Sequence, residues 1–221
     1  MRPTIPSAVR RAGPITHLVS LHVMPARWAY GATDEDDRAA ARDGLRKVRE
    51  LWQMRRPLPV EPALAAGAPA IVTRPFVPGR DDEAWLRVNN RAFAGHPDQS
   101  GWTTETLAGR MAEDWFDPAG FLLHDDPGTG ELDGYCWTKV HPAAPPEPAM
   151  GEIYVIGADP SAHGHGLGKA LVLAGLDHLA AARGMRVGML YVEHDNAPAV
   201  RLYEKLGFTV HGVDRMYDSP S

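Results

Sequence analysis

One stretch limits the folds open to this chain more than any other: a strand that breaks at a proline and turns through glycines into a helix. Residues 151–168 read GEIYVIGADPSAHGHGLG. The apolar run stops at Asp159-Pro160, the turn carries glycine at 164, 166 and 168, and an alanine- and leucine-rich helix is expected over 168–183. Such a turn offers consecutive main-chain N–H groups at the positive end of a helix dipole, which suits an anion. Without side chains at Gly164, Gly166 and Gly168, a ligand can approach the main chain closely. The pyrophosphate of a nucleotide-like cofactor fits that description, and a plain tight turn is the competing reading. A magnesium-nucleotide loop is excluded, because Gly168-Lys169 is followed by Ala170 and not by a hydroxyl residue. A dinucleotide fingerprint is disfavoured, because the order is HGHGLG and the sheet before it starts antiparallel.

Around this unit the chain divides at residues 58–69, rich in Pro, Ala and Gly without periodicity, which read as a linker. Before it stand a strand-like run over 17–31, a helix from Asp34 with acidic residues in its first turn, and an alternating segment over 46–58. After it the expected order is a strand over 70–78, helices over 82–94 and 103–115, and a hairpin of 121–126 with 132–140. Strand 152–159, the helix, strand 185–193, helix 197–207 and strand 208–218 follow. Antiparallel strands followed by strand–helix–strand–helix–strand predict an α/β (α+β) fold, a mixed and mostly antiparallel sheet with helices on both faces.

The 221 residues include 44% hydrophobic and 23% charged, enough apolar material for a real core. A formal charge of −5 gives no basic footprint, so nucleic acid is not the expected partner. No uncharged apolar run approaches 18 residues, so no membrane span is expected, and the start lacks the pattern of a secretory signal. Cys136 stands alone, which excludes an internal disulfide; it reads as a buried small hydrophobe in a reducing cytoplasm. His163 and His165 share the turn, while His124, His141, His178 and His194 are scattered without ligand spacing, so no metal site is expected.

A second motif lies about 35 residues downstream. VEHDNAPAVRLYEKLGF (192–208) holds Asn196 as a helix cap, Tyr203 mid-helix and Gly207 as the stop before a strand. Together the two motifs resemble the GCN5-related N-acetyltransferase superfamily, over roughly residues 70–218. The turn departs from the superfamily's pattern at His163, where Arg or Gln is usual, which implies altered anchoring through a mainly main-chain grip. A closer resemblance, to the mycothiol synthase family of actinobacteria, rests on VNNRAFAGHPDQSGWT (88–103), EIYVIGADP, VEHDN and RELWQMRRPL. That family carries two tandem acetyltransferase domains with the chemistry in the second. The resemblance therefore implies a catalytic domain at 70–221 and a strand–helix–strand remnant of a first domain at 1–57, truncated relative to the family. Such a remnant would leave Leu51, Trp52 and Met54 in need of cover, from the second domain or by weak self-association of an otherwise monomeric protein.

The chemistry can be posed on its residues. An amine attacking a thioester must lose a proton, the departing thiolate benefits from gaining one, and the oxyanion needs a fixed donor. Glu152, a carboxylate in an apolar strand, could take the proton, or could simply face solvent at a strand edge. Tyr203 could protonate the sulfur, or pack on the sheet beside Leu202 and Leu206, or both. The N–H at or near Ile156 is the candidate oxyanion donor, provided the strands splay there. The resemblance further implies that Ile156, Gly157 and Ala158 hold acetyl-CoA together with the turn His163, Gly164, His165, Gly166, Leu167, Gly168 and Lys169. The start of the later helix, Asn196, Ala197, Pro198, Ala199, Val200 and Arg201, would complete that site. It implies acceptor contacts at Asp98, Lys139, Glu152 and Tyr191, although Asp98 and Lys139 taken alone are ordinary surface charges. The implied reaction is direct acetyl transfer in a ternary complex to the cysteinyl amine of cysteinyl-glucosaminyl-inositol. Another N-acetyltransferase, acting on protein N-termini or small amines, and a non-catalytic acyl-CoA-binding module are the alternatives.

Overall fold

The computed structural model describes residues 26–96 and 98–220. Eight strands form one sheet: β1 (Arg27–Ala29), β2 (Arg46–Pro57), β3 (Arg74–Pro75), β4 (Phe121–Asp125), β5 (Leu132–His141), β6 (Met150–Ala158), β7 (Val187–Glu193) and β8 (Thr209–Asp218). Six α-helices accompany them: α1 (Asp34–Arg42), α2 (Pro62–Ala65), α3 (Asp82–Ala92), α4 (Thr104–Met111), α5 (Leu167–Asp177) and α6 (Ala197–Lys205). The spatial order is β1-β8-β2-β7-β6-β5-β4-β3, and of the named pairs β6–β7 alone is parallel. This is the mixed, mostly antiparallel sheet expected from the element order.

Side chains explain where the elements start. Thr33 caps α1 by a reciprocal capping box with Asp36, ahead of the four acidic residues of the first turn. The Thr103 hydroxyl caps α4 and the Asn196 carboxamide caps α6. The expected strand at 70–78 shrinks to Arg74–Pro75 at the sheet edge, because Pro75 and Pro78 lack the N–H a ladder needs. Helix 103–115 stops at Met111. The long helix after the glycine turn is α-helical only to Asp177 and continues as a π turn over His178–Ala182. Part of the strand expected at 17–31 lies outside the described residues; within them only Arg27–Ala29 pairs, against β8.

Strand β2, which precedes the linker-like segment, sits inside the sheet between β8 and β7, pairing along Leu51–Pro57 with β7 and Arg46–Arg55 with β8. Its alternation sends Trp52 and Met54 to one face and Arg49, Leu51, Gln53 and Arg55 to the other. Leu51 and Met54 are buried, Met54 completely, so the cover they lacked in isolation comes from this sheet. Leu58 is buried as well, its chain continuing into α2.

The sheet has an apolar core on each face. One joins Met54, Leu171, Leu176, Leu190, Leu206 and Phe208, packing α5 and α6 onto β2, β6 and β7. The other is aromatic: Trp85 of α3 meets Trp102, Phe121, Tyr135 and Trp137 edge-on at centroid distances of 5.3–5.9 Å. Such pairs add about 0.5–1.5 kcal/mol each beyond burial, which fixes the α3–β4–β5 end firmly.

Candidate active site

The parallel ladder between β6 and β7 is short. It runs from Gly151↔Gly188 to Ile153↔Leu190 and then stops, although β6 continues to Ala158 and β7 to Glu193. Beyond Ile153 the strands part into a fork, and β6 pairs only with β5. At the branching point β5–β6 pairing jumps from Thr138↔Ile153 to Trp137↔Val155, so Tyr154 is a bulge residue. Bulges of this kind re-aim side chains and end pairing beside sites. Past Tyr154 the ladder with β7 does not continue, so Val155–Ala158 turn their β7-facing edge away from it, the splay that an oxyanion donor at Ile156 requires. Gly157 lies against the Tyr135 ring, which would stand 2.9 Å from any added Cβ.

The glycine turn closes the mouth of this fork. Asp159 caps a short 3-10 turn, Pro160–Ala162, by accepting from the Ser161 N–H. Gly164 and Gly166 then take φ of 89° and 80°, left-handed values that favour glycine. Gly166 is the N-cap of α5 and no side chain caps that helix, so its first N–H groups face outward without a carboxylate or hydroxyl of the protein. His163 is exposed, with Nε2 3.2 Å from the Ala158 carbonyl. His165 is exposed as well, while Leu167 is buried in the core under α5. The Lys169 ammonium donates to the Ala66 carbonyl at 2.6 Å, and Pro69 lies where a Cβ on Gly166 would come within 3.1 Å. The segment between β2 and β3 thus passes over the turn.

Helix α6 forms the opposite rim. The Asn196 Oδ1 accepts from the Ala199 N–H, Pro198 stands in the first turn, Val200 is buried, and Arg201 is exposed. Tyr203 is 7% exposed and stacks edge-on with Phe208 at 5.8 Å. Burial, then the neighbouring Cys136, push its phenol above the usual value, so it keeps its proton throughout the neutral range. Tyr203 is thus a core residue whose phenol stays protonated. Cys136 is wholly buried, its thiol pushed up to about 12 by desolvation, which disarms it as a nucleophile.

Beside the aromatic core, the face opposite α5 and α6 turns polar where β2, β7, the start of β6 and the end of β5 meet. Register aligns Arg55, Met189, Glu152 and Lys139 across β2, β7, β6 and β5. Glu152 is buried and its Oε2 lies 2.6 Å from His141 Nε2; it is not a solvent-facing edge carboxylate. The Lys139 ammonium sits 4.4 Å from the Trp115 ring centroid and 5.6 Å from that of Tyr154. The Tyr191 hydroxyl accepts from Gln53 at 2.7 Å. Asp98 receives Arg49 at 2.6 Å, and the same guanidinium bonds Glu193. Glu152, Lys139 and Tyr191 thus share one face, with Asp98 tied to it through Arg49. Missed from the sequence were Arg49, Gln53, Arg55, His141, Glu147 and Trp115. The one available signal was the period-two polar pattern of 49, 53 and 55. Among the described residues no cluster of His, Cys, Asp and Glu is placed to hold a metal, and no helix is long and apolar enough to cross a membrane.

Comparison with known proteins agrees with this geometry. A mycothiol acetyltransferase of Thermomonospora curvata is 54% identical over 194 residues, 87% of this chain and 63% of that one. One from Pseudarthrobacter chlorophenolicus is 51% identical over 191 residues, 86% of this chain and 58% of that one. The chain spans less than two thirds of the length of these curated relatives. A GCN5-related N-acetyltransferase from Sphaerobacter thermophilus superposes with a TM-score of 0.69 at 25% identity, over 88% of this chain and 58% of that one. A tandem GNAT protein from the clavulanic acid biosynthesis pathway gives 0.62 at 19% identity over 86% and 60%, a likeness of fold alone. The acetyltransferase (GNAT) family matches residues 83–208, which contain α5, α6, the glycine turn and the fork. More than half of the sequence is covered by that match, and the chain belongs to the acetyltransferase (GNAT) family.

Proposed function

We propose that the chain is a cytoplasmic, acetyl-CoA-dependent N-acetyltransferase that acetylates the cysteinyl amine of cysteinyl-glucosaminyl-inositol, the mycothiol-forming step. Residues 70–221 act as the catalytic domain, and the segment before them contributes β2 to its sheet. The relatives' shared name, at about half identity over most of the chain, supports the substrate. The observation that carries the activity is the fork: pairing ends at Ile153↔Leu190 directly beside an uncapped helix start.

Acetyl-CoA supplies an activated acyl carbonyl and a thiolate leaving group. Main-chain N–H groups of Gly164, His165, Gly166, Leu167, Gly168 and Lys169 bind its pyrophosphate, with His163 at the rim; Lys169 adds charge once released from Ala66. Ile156, Gly157 and Ala158 present the open strand edge that binds the pantetheine arm and stabilises the developing oxyanion. The first turn of α6, Asn196 to Arg201, closes the other side. Glu152 accepts the ammonium proton, directly or through water, and His141 fixes the carboxylate's orientation. Tyr203 returns a proton to sulfur. Asp98, Lys139 and Tyr191 hold the hydroxylated body of the acceptor. Transfer is direct, since the described residues include no accessible thiol for a covalent intermediate.

A coupled thiol-release assay tests this reading. The amine cysteinyl-glucosaminyl-inositol is expected to release coenzyme A at a rate saturable in both substrates, with a peptide panel inert. Turnover of peptides alone would transfer the enzyme to N-terminal acetylation. Binding of acetyl-CoA without turnover of any amine would leave a non-catalytic module.

A further inference from the structure

Strand β2 does more than fill a gap in the sheet. Its face opposite the α5–α6 core carries Arg49, Gln53 and Arg55, and each reaches a different part of the polar face. Arg49 Nη2 bonds Asp98 Oδ2 at 2.6 Å, and Nη1 bonds Oδ1 at 3.3 Å, a two-point grip on the loop between α3 and α4. The same guanidinium is seated by Glu193 of β7 and lies 5.4 Å from the Trp28 ring. Gln53 donates to the Tyr191 hydroxyl from one side chain end and accepts from Arg55 Nε at the other, at 2.7 and 2.8 Å. Arg55 Nη1 bonds Glu147 at 2.5 Å, holding the proline-rich loop between β5 and β6, with His211 of β8 4.0 Å from the other Glu147 oxygen. One strand thus anchors two loops, through Asp98 and Glu147, and the side chain of Tyr191.

Resting on the acetyltransferase reading above, we propose that Arg49 and Arg55 are positioning residues for the acceptor amine: they fix the two walls of its cleft, through Asp98 and Glu147, and take no part in holding acetyl-CoA. Three facts carry this. Both guanidinium groups are mostly buried, with side chains 17% and 15% exposed, whereas Asp98 and Glu147 are 44% and 43% exposed. The rigid partner is therefore the strand and the positioned partner is the loop. The geometry of Arg49 is bidentate and doubly paired, which a lysine cannot reproduce. The glycine turn and the α6 cap make none of these contacts. An acceptor site in this enzyme is thereby incomplete without the segment preceding residue 58.

The test uses the full chain with Arg49→Gln, Arg49→Lys and Arg55→Gln, and two readouts. In steady-state kinetics each Gln variant is expected to raise KM for the amine about tenfold or more while KM for acetyl-CoA stays within about twofold; Arg49→Lys recovers part of the loss. Equal rises in both KM values, or an unchanged amine KM, overturn the proposal. In hydrogen exchange without substrates, Arg49→Gln is expected to speed exchange at residues 98–102 by about tenfold, and unchanged exchange there overturns the Arg49 assignment whatever the enzyme acetylates. If the wild type acetylates no amine, the functional reading fails. The exchange result then still decides whether β2 positions the loop.

Discussion

The two sides of the fork are made of different material. The side next to α5 is main chain: two glycines at positive φ, an uncapped helix start and an unpaired strand edge. The side facing β2 is side chain: Glu152 with His141, Lys139 over Trp115, and Arg49 and Arg55 tied to Asp98 and Glu147. A main-chain site depends on what is missing, so adding a Cβ damages it while exchanging a side chain does little. A side-chain site depends on charge and reach, so neutralising one group disturbs its partners. Under the proposed main-chain grip, a histidine at position 163, where the superfamily usually has arginine or glutamine, costs little.

The largest effect falls on the main-chain side. Gly166→Val forces a β-branched residue to φ of 80° and drives its Cβ toward Pro69. Acetyl-CoA affinity is expected to drop at least about 100-fold by calorimetry, and retained affinity would break the cradle assignment. Next comes the group shared by both sides. Tyr203→Phe should lower kcat about 100-fold with acetyl-CoA affinity nearly intact. Because the phenol is raised, its proton is present below its ordinary value of 10 and leaves only above it. The wild type should therefore show no basic fall in kcat from this group below about pH 10.

Smaller effects probe how β2 is anchored. Burial opposes the charge of Glu50, but Lys47, the Trp52 indole and Arg215 outweigh it and hold the carboxyl at about 2, below the ordinary 4.5. A carboxyl lowered on folding stabilises above its unfolded value and loses that contribution as pH falls towards its folded one. Glu50→Gln should lower the melting temperature by about 3–6 °C at pH 7. The gap to wild type should narrow between pH 4.5 and about 2; a gap that widens on acidification contradicts the network. Smallest of all, His163→Ala should change acetyl-CoA affinity by less than about threefold. A larger loss would show that the grip is not mainly main chain.

Local chemistry was legible in the sequence and long-range pairing was not. The Asn196 cap, the glycine turn, the hairpin around Pro127–Gly130 and the stop at Gly207 each depend on neighbours within a few residues, and each sits where its residues imply. The place of β2 depends on Leu51 meeting Glu193 and Asp214, partners more than 140 positions away, and alternation alone does not name a partner. The bulge at Tyr154 was hidden for another reason. EIYVIGA is apolar or aromatic at nearly every position, so no polar alternation marks where the strand changes face. Glu152 stood out as a candidate because it is charged in such a run; His141, its partner, is one residue in a proline-rich stretch with no pattern to single it out.

The most direct measurement is a crystal structure of the chain with acetyl-CoA. The fork should be filled, with pyrophosphate oxygens about 3 Å from the N–H groups of residues 164–169 and the Tyr203 hydroxyl turned to the thioester sulfur. A coenzyme seated elsewhere, or a Tyr203 hydroxyl directed away from that sulfur, would contradict the proposed division between a main-chain cradle and a side-chain acceptor wall.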